Sequence, residues 1–340
     1  MEKIHKKVLE TKTEIFYGQR SLLSLARLLN TDATIFEIRL NHPVYTPNRI
    51  PKKKGGWREI LVPEKELMKI QTNLNYYLQM AYTLIKPDCV HGFLIRDINR
   101  ENSRGIVSNA KQHIGKAFLL NLDLKDFFPS ISAKRIKQQL FNESKLFANE
   151  AVVNAITLLC TYQGYLPTGA PTSPVISNFI CLQLDKSLMA FCAERNITYT
   201  RYADDLSFSS DNYFTDDCIN DLKKLIEQYH FKINEKKFRI NSSKSKQTVT
   251  GLVVNTKVNL DRRYIRNIRA CLYNWRMNGL EHATAKHYQV ISPDMEKQTE
   301  FANKLKGQVE FIGMVRGSED EIYKRYRRDL KYLNKAYVTG

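Results

Sequence analysis

The chain has 340 residues, of which 43% are hydrophobic and 11% aromatic. This composition excludes a wholly disordered protein, and the length allows one large domain or two to three subdomains. The 53 Lys and Arg residues outnumber the 35 Asp and Glu residues and give a formal net charge of +18. Such an excess of positive charge favours a polyanionic partner such as a nucleic acid.

Cysteine usage and the hydrophobic pattern indicate where the protein works. The six cysteines are scattered without a Cys-x-x-Cys pair, so we expect neither a zinc site nor a disulfide framework, and we expect a cytoplasmic protein. The first residues alternate charged and apolar groups and predict no signal peptide. No segment reaches the roughly 18 uncharged apolar residues of a membrane span, so no membrane partner is expected.

The predicted elements indicate an α+β fold. Residues 1–44 are predicted to be mostly helical, and residues 45–115 to contain a hairpin, a long helix near 64–85 and a loop. From residue 116 onward, strands alternate with helices. The predicted elements there are strand 117–124, helices 132–142, 148–161, 175–194 and 215–229, two strands within 197–209, and short strands near 231–240 and 247–254.

The last segment, residues 256–340, is predicted to contain two basic amphipathic helices. The apolar residues at helical spacing are Ile265, Ile268, Leu272 and Trp275 in the first helix, and Tyr326, Leu330 and Leu333 in the second. The cationic residues beside them are Arg262, Arg266, Arg269, Lys324, Arg328 and Lys331. Such helices are either ordinary surface helices or a grip on nucleic-acid phosphates.

Three carboxylates are the main candidates for chemistry. Asp123 lies near the end of the run 120–124, which alternates as a half-buried strand does, and Tyr202-Ala203-Asp204-Asp205 lies at the tip of a predicted hairpin. An Asp-Asp pair alone is more often a solvated turn. If the strands are neighbours, however, three carboxylates meet at one sheet edge. Oxygen ligands of this kind suit paired Mg²⁺ ions, which activate a 3′-hydroxyl and steady a leaving pyrophosphate.

These motifs stand in the order found in reverse transcriptases, and residues 45–335 resemble that family, in particular its bacterial retron branch. The run 121–131 resembles the first catalytic block, and Tyr202–Asp205 the second. The stretch 166–174 resembles the loop beside the incoming nucleotide and the template base. Asn109-Ala-Lys-Gln-His113 and Val249-Thr250-Gly251 resemble two elements of retrons, and ordered motifs are more specific than single ones.

The resemblance implies a right-hand polymerase fold with fingers, palm and thumb subdomains. The implied divisions are an N-terminal helical extension (1–44), fingers (45–115 with part of 125–165), a palm (116–255) and a basic thumb or RNA-binding region (256–340). It also implies that Asp123, Asp204 and Asp205 are the catalytic residues. They would bind two Mg²⁺ ions, for which Mn²⁺ can substitute.

Phe128 and the basic turn near residue 55 are the first nucleotide-binding residues that the resemblance implies. Phe128 would lie under the sugar and leave no room for a 2′-hydroxyl; the alternative is a core phenylalanine beside Phe127. Arg58 would bind the triphosphate, with Lys53 and Lys54 as further cations. The alternative for these three is a solvated basic hairpin tip.

Three further nucleotide-binding residues follow from the resemblance. Thr168 and Gly169 belong to the loop beside the nucleotide, and Thr168 stands where relatives usually carry Gln. Lys237 resembles the lysine that approaches the leaving pyrophosphate and can donate a proton to it. An exposed strand lysine is the alternative.

The two retron elements are the remaining implied RNA-binding residues. Val249, Thr250 and Gly251 are implied to contact RNA. Asn109 and His113 either shape an RNA contact or brace the palm, since an isolated histidine is more often structural.

The resemblance implies that the protein copies part of a cognate structured noncoding RNA into single-stranded DNA from deoxynucleoside triphosphates. Priming from an RNA 2′-hydroxyl would give a branched RNA–DNA hybrid, and a host ribonuclease H would remove template. The implied role is antiphage defence with a separate effector or toxin protein. The alternatives are another defence-associated or group II intron-like reverse transcriptase, and a non-catalytic RNA-binding scaffold that neutralises a toxin.

Overall fold

A computed structural model describes residues 2–52, 55–95, 104–140 and 149–339, with side chains described within 6–333. The helices, in chain order, are α1 (Glu2–Tyr17), α2 (Leu22–Leu28), α3 (Ala33–Asn41), α4 (Lys65–Ile85), α5 (Ile106–Lys111), α6 (Ala133–Gln138), α7 (Glu150–Cys160), α8 (Ser173–Ile180), α9 (Leu182–Ala193), α10 (Asp216–Gln228), α11 (Arg262–Tyr288), α12 (Met295–Arg316) and α13 (Glu321–Thr339). The strands are β1 (Tyr45–Pro51), β2 (Trp57–Pro63), β3 (Phe118–Asp123), β4 (Thr198–Tyr202), β5 (Asp205–Ser210), β6 (Arg239–Ser242), β7 (Thr248–Val249) and β8 (Leu252–Val253).

The chain forms two compact units. The first contains Met1–Gly105 and Ala117–Ile240, and the second contains Ile106–Lys116 and Asn241–Gly340. The short segment Ile106–Lys116 therefore belongs with the C-terminal part of the chain. The division into an N-terminal extension, fingers, palm and thumb stays a prediction.

A four-stranded sheet is the centre of the first unit, with the strand order β4–β5–β3–β6. β5 pairs antiparallel with both β3 and β4. The apolar side chains Leu120, Leu122, Leu206 and Phe208 are fully buried, as expected of strands that alternate between two faces. Strand 117–124 and the hairpin within 197–209 are therefore confirmed.

Most predicted helices of the first unit are also confirmed. The long helix near 64–85 is α4, helix 148–161 is α7, and helix 215–229 is α10. Side chains cap two of them, because Asn149 and Thr215 each accept a hydrogen bond from a backbone N–H of the first turn. The predicted strand near 231–240 is wrong in part, since residues Glu235–Lys237 form a 3₁₀ turn and the strand begins at Arg239.

The predicted helix 175–194 is two helices, α8 and α9, which meet at Cys181 with a bend of 49°. Their apolar side chains contribute to the core of the first unit. In the parts of the chain that the structure describes, no single helix is long and apolar enough to cross a membrane. Helices α8 and α9 together are long and apolar enough to do so by length and composition only.

Three packed helices, α11 to α13, make up most of the second unit. The two predicted basic helices lie within α11 and α13, but α12 between them was not predicted. Its buried face consists of Phe301, Leu305, Val309, Ile312 and Val315. A Cβ atom at Gly313 would lie 2.6 Å from the Tyr323 ring, so glycine allows α12 and α13 to approach closely.

Candidate active site

The turn between β4 and β5 carries two of the three predicted carboxylates. Tyr202 pairs with Asp205, which leaves Ala203 and Asp204 as the two turn residues. Ala203 has a φ of 58°, a left-handed conformation that costs free energy for a residue with a Cβ atom. Asp205 also pairs with Asp123 of β3, so all three aspartates lie at the same edge of the sheet.

Asp123 is buried at 4% exposure and is held by two residues that follow α10. Lys237 Nζ lies 2.6 Å from Asp123 Oδ2, and Asn234 Nδ2 donates to Oδ1 at 3.1 Å. The Asn234 backbone N–H also donates to the Asp123 carbonyl oxygen at 2.8 Å. Lys237 is thus not a free strand lysine, because it lies on the 3₁₀ turn and neutralises Asp123. The sequence did not single out Asn234.

The three carboxylates interact electrostatically. Desolvation and the negative charge of Asp123 raise the pKa of Asp204. Desolvation, followed by the charges of Asp204 and Asp123, raises the pKa of Asp205 to about 6. Because Asp205 keeps an exposed surface, repulsion by the neighbouring carboxylates contributes more to this shift than burial does. Desolvation alone would lower the pKa of Lys237, but its hydrogen bond to Asp123 and the three negative charges raise it.

The chemistry of this donor set fits magnesium. Mg²⁺ prefers oxygen ligands and is usually held by one or two carboxylates together with substrate phosphates. A divalent cation would also relieve the repulsion that raises the pKa values of Asp204 and Asp205. Asp123, Asp204 and Asp205 would hold it. Their side chains do not form a ready-made ligand cage, since in the described residues no group of three or more His, Cys, Asp or Glu side chains is arranged to hold a metal.

A buried ion pair lies behind the turn between β4 and β5, and sequence reasoning missed it. Arg201 and Asp185 have no exposed side-chain surface, and two hydrogen bonds of 2.8 and 2.6 Å join the guanidinium to both carboxylate oxygens. Tyr199 Oη donates to Asp185 at 2.9 Å. Arg201 Nη1 donates to the carbonyl oxygen of Ala203, at 3.2 Å, and to Asn178 Oδ1, at 3.0 Å. The pair therefore fixes the turn that carries Asp204.

Gly92 supports the same turn from the other side. A Cβ atom at this position would lie 2.6 Å from the Ala203 backbone nitrogen, which is too close for any other residue. Asn178 Nδ2 donates to the Gly92 carbonyl oxygen at 3.1 Å. The segment is further tied to β4, because the His91 N–H donates to the Arg201 carbonyl oxygen. Asn178 thus links the buried Arg201 to the backbone that presses against the turn.

The predicted nucleotide-binding residues are partly assembled around this edge. Arg58 is exposed on β2, and its positive charge acts on Asp204. Phe128 is half-buried, whereas its neighbour Phe127 is 6% exposed and belongs to the core. The alternative of a core phenylalanine therefore fits Phe127 better than Phe128. Lys53 and Lys54 lie outside the described residues.

Thr168 and Gly169 connect their loop to the hairpin β1–β2. The Leu61 N–H donates to the Thr168 carbonyl oxygen at 2.7 Å. Gly169 has a φ of 125°, and a Cβ atom there would lie 2.7 Å from the Leu61 carbonyl oxygen. Glycine is required by this close approach of two backbones, and the Thr168 side chain is half-buried beside it.

The two retron elements meet in the second unit. Helix α5, which contains Asn109, packs on β7 and β8, and Thr250 Oγ1 donates to the Ile106 carbonyl oxygen at 3.2 Å. Thr250 and Gly251 both have positive φ angles, 48° and 83°, as in a type I′ hairpin turn.

Burial separates the roles of the retron elements. Asn109, His113 and Val249 are at most 1% exposed, which disagrees with direct RNA contacts by their side chains. For Asn109 and His113 the bracing role fits, because α5 packs on β7 and β8. These two strands belong to the second unit and lie within the range predicted for the palm, 116–255.

The predicted basic stripes lie on the surface of the second unit. Ile268, Leu272 and Trp275 of α11 are buried, as the apolar spacing predicted. The cationic side chains that the sequence singled out on α11 and α13 are all exposed, namely Arg262, Arg266, Arg269, Lys324, Arg328 and Lys331. Lys324 pairs with Glu319 at 2.8 Å. Binding of RNA by these residues stays a prediction.

Residues 50–309 match the family model described as reverse transcriptase (RNA-dependent DNA polymerase). The chain belongs to the reverse transcriptase family. Its α+β composition and the right-hand polymerase fold of that family agree with the sequence prediction. The three predicted catalytic aspartates, Asp123, Asp204 and Asp205, all lie inside the matched range.

Curated relatives of this reverse transcriptase are retron enzymes. The chain is 37% identical to the retron Ec86 reverse transcriptase of Escherichia coli over 211 residues, which cover 58% of this chain and 62% of the relative. It is 31% identical to the retron Mx65 reverse transcriptase of Myxococcus xanthus over 254 residues, 69% of this chain and 56% of the relative. The matches thus span less than two thirds of both relatives. Identity to the retron Ec73 reverse transcriptase of Escherichia coli is 29% over 311 residues, 85% of this chain and 89% of the relative.

Replacing Asp185 by Asn should strongly destabilise this reverse transcriptase. The change leaves the buried Arg201 guanidinium without a counter-charge, which costs about 3–5 kcal/mol in the free energy of unfolding. Urea unfolding of the full chain measures this. Glu59→Gln is the control, since it breaks the Arg49–Glu59 pair, whose side chains are 68% and 69% exposed, and should cost at most about 1 kcal/mol. Equal losses in the two variants would contradict the role of Asp185.

Replacing Asp205 by Asn should stabilise the metal-free protein at neutral pH. The pKa of Asp205 is about 6 in the folded state and about 3.9 in the unfolded chain. The ionised side chain therefore costs stability that develops as the pH rises from about 4 to 6 and then stays constant.

Thermal unfolding in a chelating buffer tests this sign. The gain in Tm from Asp205→Asn should be present at pH 7.5 and absent near pH 4. Asp217→Asn, at an exposed position on α10, should not reproduce this dependence. A gain of the same size at both pH values would show that repulsion among the carboxylates is not its cause.

Proposed function

We propose that this protein is an RNA-directed DNA polymerase that uses divalent metal ions at Asp123, Asp204 and Asp205. The observation that carries the proposal is the register of β3, β4 and β5, which brings the three carboxylates to one edge. The buried Arg201–Asp185 pair supports it, because a metal site needs side chains that are held in place by their surroundings. Membership of the reverse transcriptase family agrees with this chemistry.

The site residues divide the work of nucleotide addition. When bound, Mg²⁺ or Mn²⁺ activates the attacking 3′-hydroxyl and steadies the leaving pyrophosphate. Asn234 and Lys237 hold the two oxygens of Asp123 and so orient it. Lys237 stays protonated because its pKa is raised, so it has a proton to donate to the pyrophosphate.

Substrate selection falls to two exposed or half-exposed side chains. Arg58 offers a planar guanidinium that binds phosphate oxygens in pairs, and its charge already acts on Asp204. In this proposal the Phe128 ring would lie under the sugar of the incoming nucleotide and would exclude a ribonucleotide by leaving no room for a 2′-hydroxyl. Both roles belong to the proposed function.

We also propose that the protein works in the cytoplasm as a retron enzyme. In this proposal it copies a cognate noncoding RNA, primes from an RNA 2′-hydroxyl and yields a branched RNA–DNA hybrid used in antiphage defence. A separate effector protein and a host ribonuclease H complete the system. Support comes from the retron enzymes among its relatives and from the packing of the two retron elements against each other. The cationic stripes on α11 and α13 are suited to RNA phosphates.

Primer extension on an RNA template tests the polymerase proposal. Asp204→Asn and Asp205→Asn should each lower the extension rate more than about 100-fold. Loss of a residue that only supports a metal ligand usually lowers activity by about 10- to 100-fold, so a larger loss indicates a ligand. Asp217→Asn on the exposed face of α10 should retain the parent rate. Synthesis that survives both active-site substitutions would remove the metal-site assignment. An inactive parent protein that still binds RNA would favour the scaffold alternative.

Sequencing of nucleic acid that copurifies with the protein tests the retron proposal. We expect one structured RNA, joined covalently to DNA through a 2′–5′ bond that survives digestion by proteases. The Asp204→Asn protein should copurify with the same RNA without DNA, because binding and synthesis use different residues. A heterogeneous RNA population, or linear DNA alone, would favour another type of reverse transcriptase.

A further inference from the structure

Phe93 stacks on the ring that we assign to sugar selection. The ring centroids of Phe93 and Phe128 are 5.9 Å apart, with an angle of 28° between the ring planes. On another side Phe128 contacts Phe127, at 5.4 Å and 39°. Phe93 and Phe128 are both half-buried. The Phe128 ring is therefore supported by one core phenylalanine and by a second ring from a distant part of the sequence.

The backbone holds Phe93 in one position. Its φ is 59°, which a residue with a Cβ atom adopts only when its surroundings enforce it. The Phe93 carbonyl oxygen accepts hydrogen bonds from Gln79 Nε2 at 3.0 Å and from Asn178 Nδ2 at 3.4 Å. Both donor residues are buried. A strained backbone conformation that is held by surrounding hydrogen bonds is typical of functional segments.

The segment of Gly92 and Phe93 also contacts the turn between β4 and β5. Gly92 precedes Phe93 and lies directly against the Ala203 backbone, while Asn178 donates to the carbonyl oxygens of both Gly92 and Phe93. One buried amide thus fixes two neighbouring residues, the first against the turn with Asp204 and the second against Phe128. The distance between the catalytic carboxylates and the selecting ring is consequently set through residues 92 and 93.

We propose that Phe93 is a specificity-determining residue, which keeps the Phe128 ring from moving aside when a ribonucleotide binds. This inference rests on the proposed polymerase function and on Phe128 as the selecting ring. The 2′-hydroxyl of a ribonucleotide would clash with the ring, so discrimination against ribonucleotides depends on how far the ring can move. Without Phe93, one side of the ring loses its stacking partner. Stacked aromatic pairs contribute about 0.5–1.5 kcal/mol beyond burial, so ribonucleotide discrimination should fall roughly 2- to 12-fold.

Single-nucleotide insertion on a primed RNA template tests the proposal. The measured quantity is the ratio of kcat/KM for a deoxynucleotide to kcat/KM for the matching ribonucleotide. Phe93→Leu and Phe93→Ala should both lower this ratio, whereas Phe93→Tyr keeps a ring and should preserve it. Phe128→Ala is the reference for a lost selecting ring. Tyr213→Ala removes an exposed ring that contacts Phe118 and controls for the loss of an aromatic pair elsewhere.

The double variant Phe93→Ala/Phe128→Ala separates support of the ring from general packing. If Phe93 acts through Phe128, the double variant should discriminate no worse than Phe128→Ala alone. A general packing role would instead lower kcat/KM for both nucleotides by the same factor and leave the ratio unchanged. The Leu and Tyr variants keep the test informative if Phe93→Ala fails to fold.

The possible outcomes distinguish failure of the proposed role of Phe93 from failure of the proposed polymerase function. A normal ratio in Phe93→Leu and Phe93→Ala, together with relaxed selection in Phe128→Ala, would overturn the role of Phe93 and leave the polymerase proposal intact. A normal ratio in Phe128→Ala would remove the selecting ring and the inference with it. Absence of any insertion by the parent protein would remove the proposed function, on which both depend.

Discussion

The ion pair between Arg201 and Asp185 is the constraint on which the candidate active site depends. A charged guanidinium without exposed surface is tolerated only where its donors are occupied, and here they are used by Asp185, Asn178 and the Ala203 carbonyl oxygen. The pair joins α9 to β4. Through Asn178 it also reaches α8 and the segment at Gly92. The turn with Asp204 and Asp205 is therefore held by a buried network that contains none of the proposed metal ligands.

The carboxylate edge shows the opposite electrostatic situation. Asp204 and Asp205 lie near Asp123, and desolvation together with the neighbouring negative charges raises their pKa values. Among the residues that the structure describes, Asp123 is the one member of the three with an ion pair, to Lys237. A rigid support and closely spaced carboxylates are what the proposed metal site requires, because ligands must be held in place by their surroundings. The fold thus concentrates negative charge where cations are needed.

Local sequence patterns predicted much of this arrangement. The alternation at Leu120–Leu124 predicted a strand, and the turn residues at Ala203–Asp205 predicted a hairpin. That the two are neighbours was a condition of the prediction, and the pairing of β3 with β5 fulfils it. The same reasoning could not find Arg201 or Asp185, because a charge next to an apolar run looks solvated until its partner from another element is known. The signal for Asp185 was present in hindsight, because it falls at helical spacing with the apolar residues Leu182, Leu188 and Cys192 of α9. The β4 sequence around Arg201 carried no such signal.

Other differences have similar causes. Helix α12 was overlooked, although Phe301, Leu305, Val309 and Ile312 follow helical spacing, because its charges are mixed and two glycines interrupt it. The strand near Lys237 was wrong since hydrogen bonding to Asp123 favours a 3₁₀ turn there. Residues Asn109 and His113 were assigned by resemblance alone, and motif matching carries no information about burial. Long-range contacts decided each of these cases.

The composition of the second unit has a consequence for the architecture of the gene. Helix α5 comes from the middle of the chain, yet its packing partners β7 and β8 lie well over a hundred positions later. A fragment beginning at residue 241 would therefore lack one of its own structural pieces, and swapping only the C-terminal third between related proteins would leave a mismatched junction. Recombination that preserves this unit must transfer two separate stretches of coding sequence together.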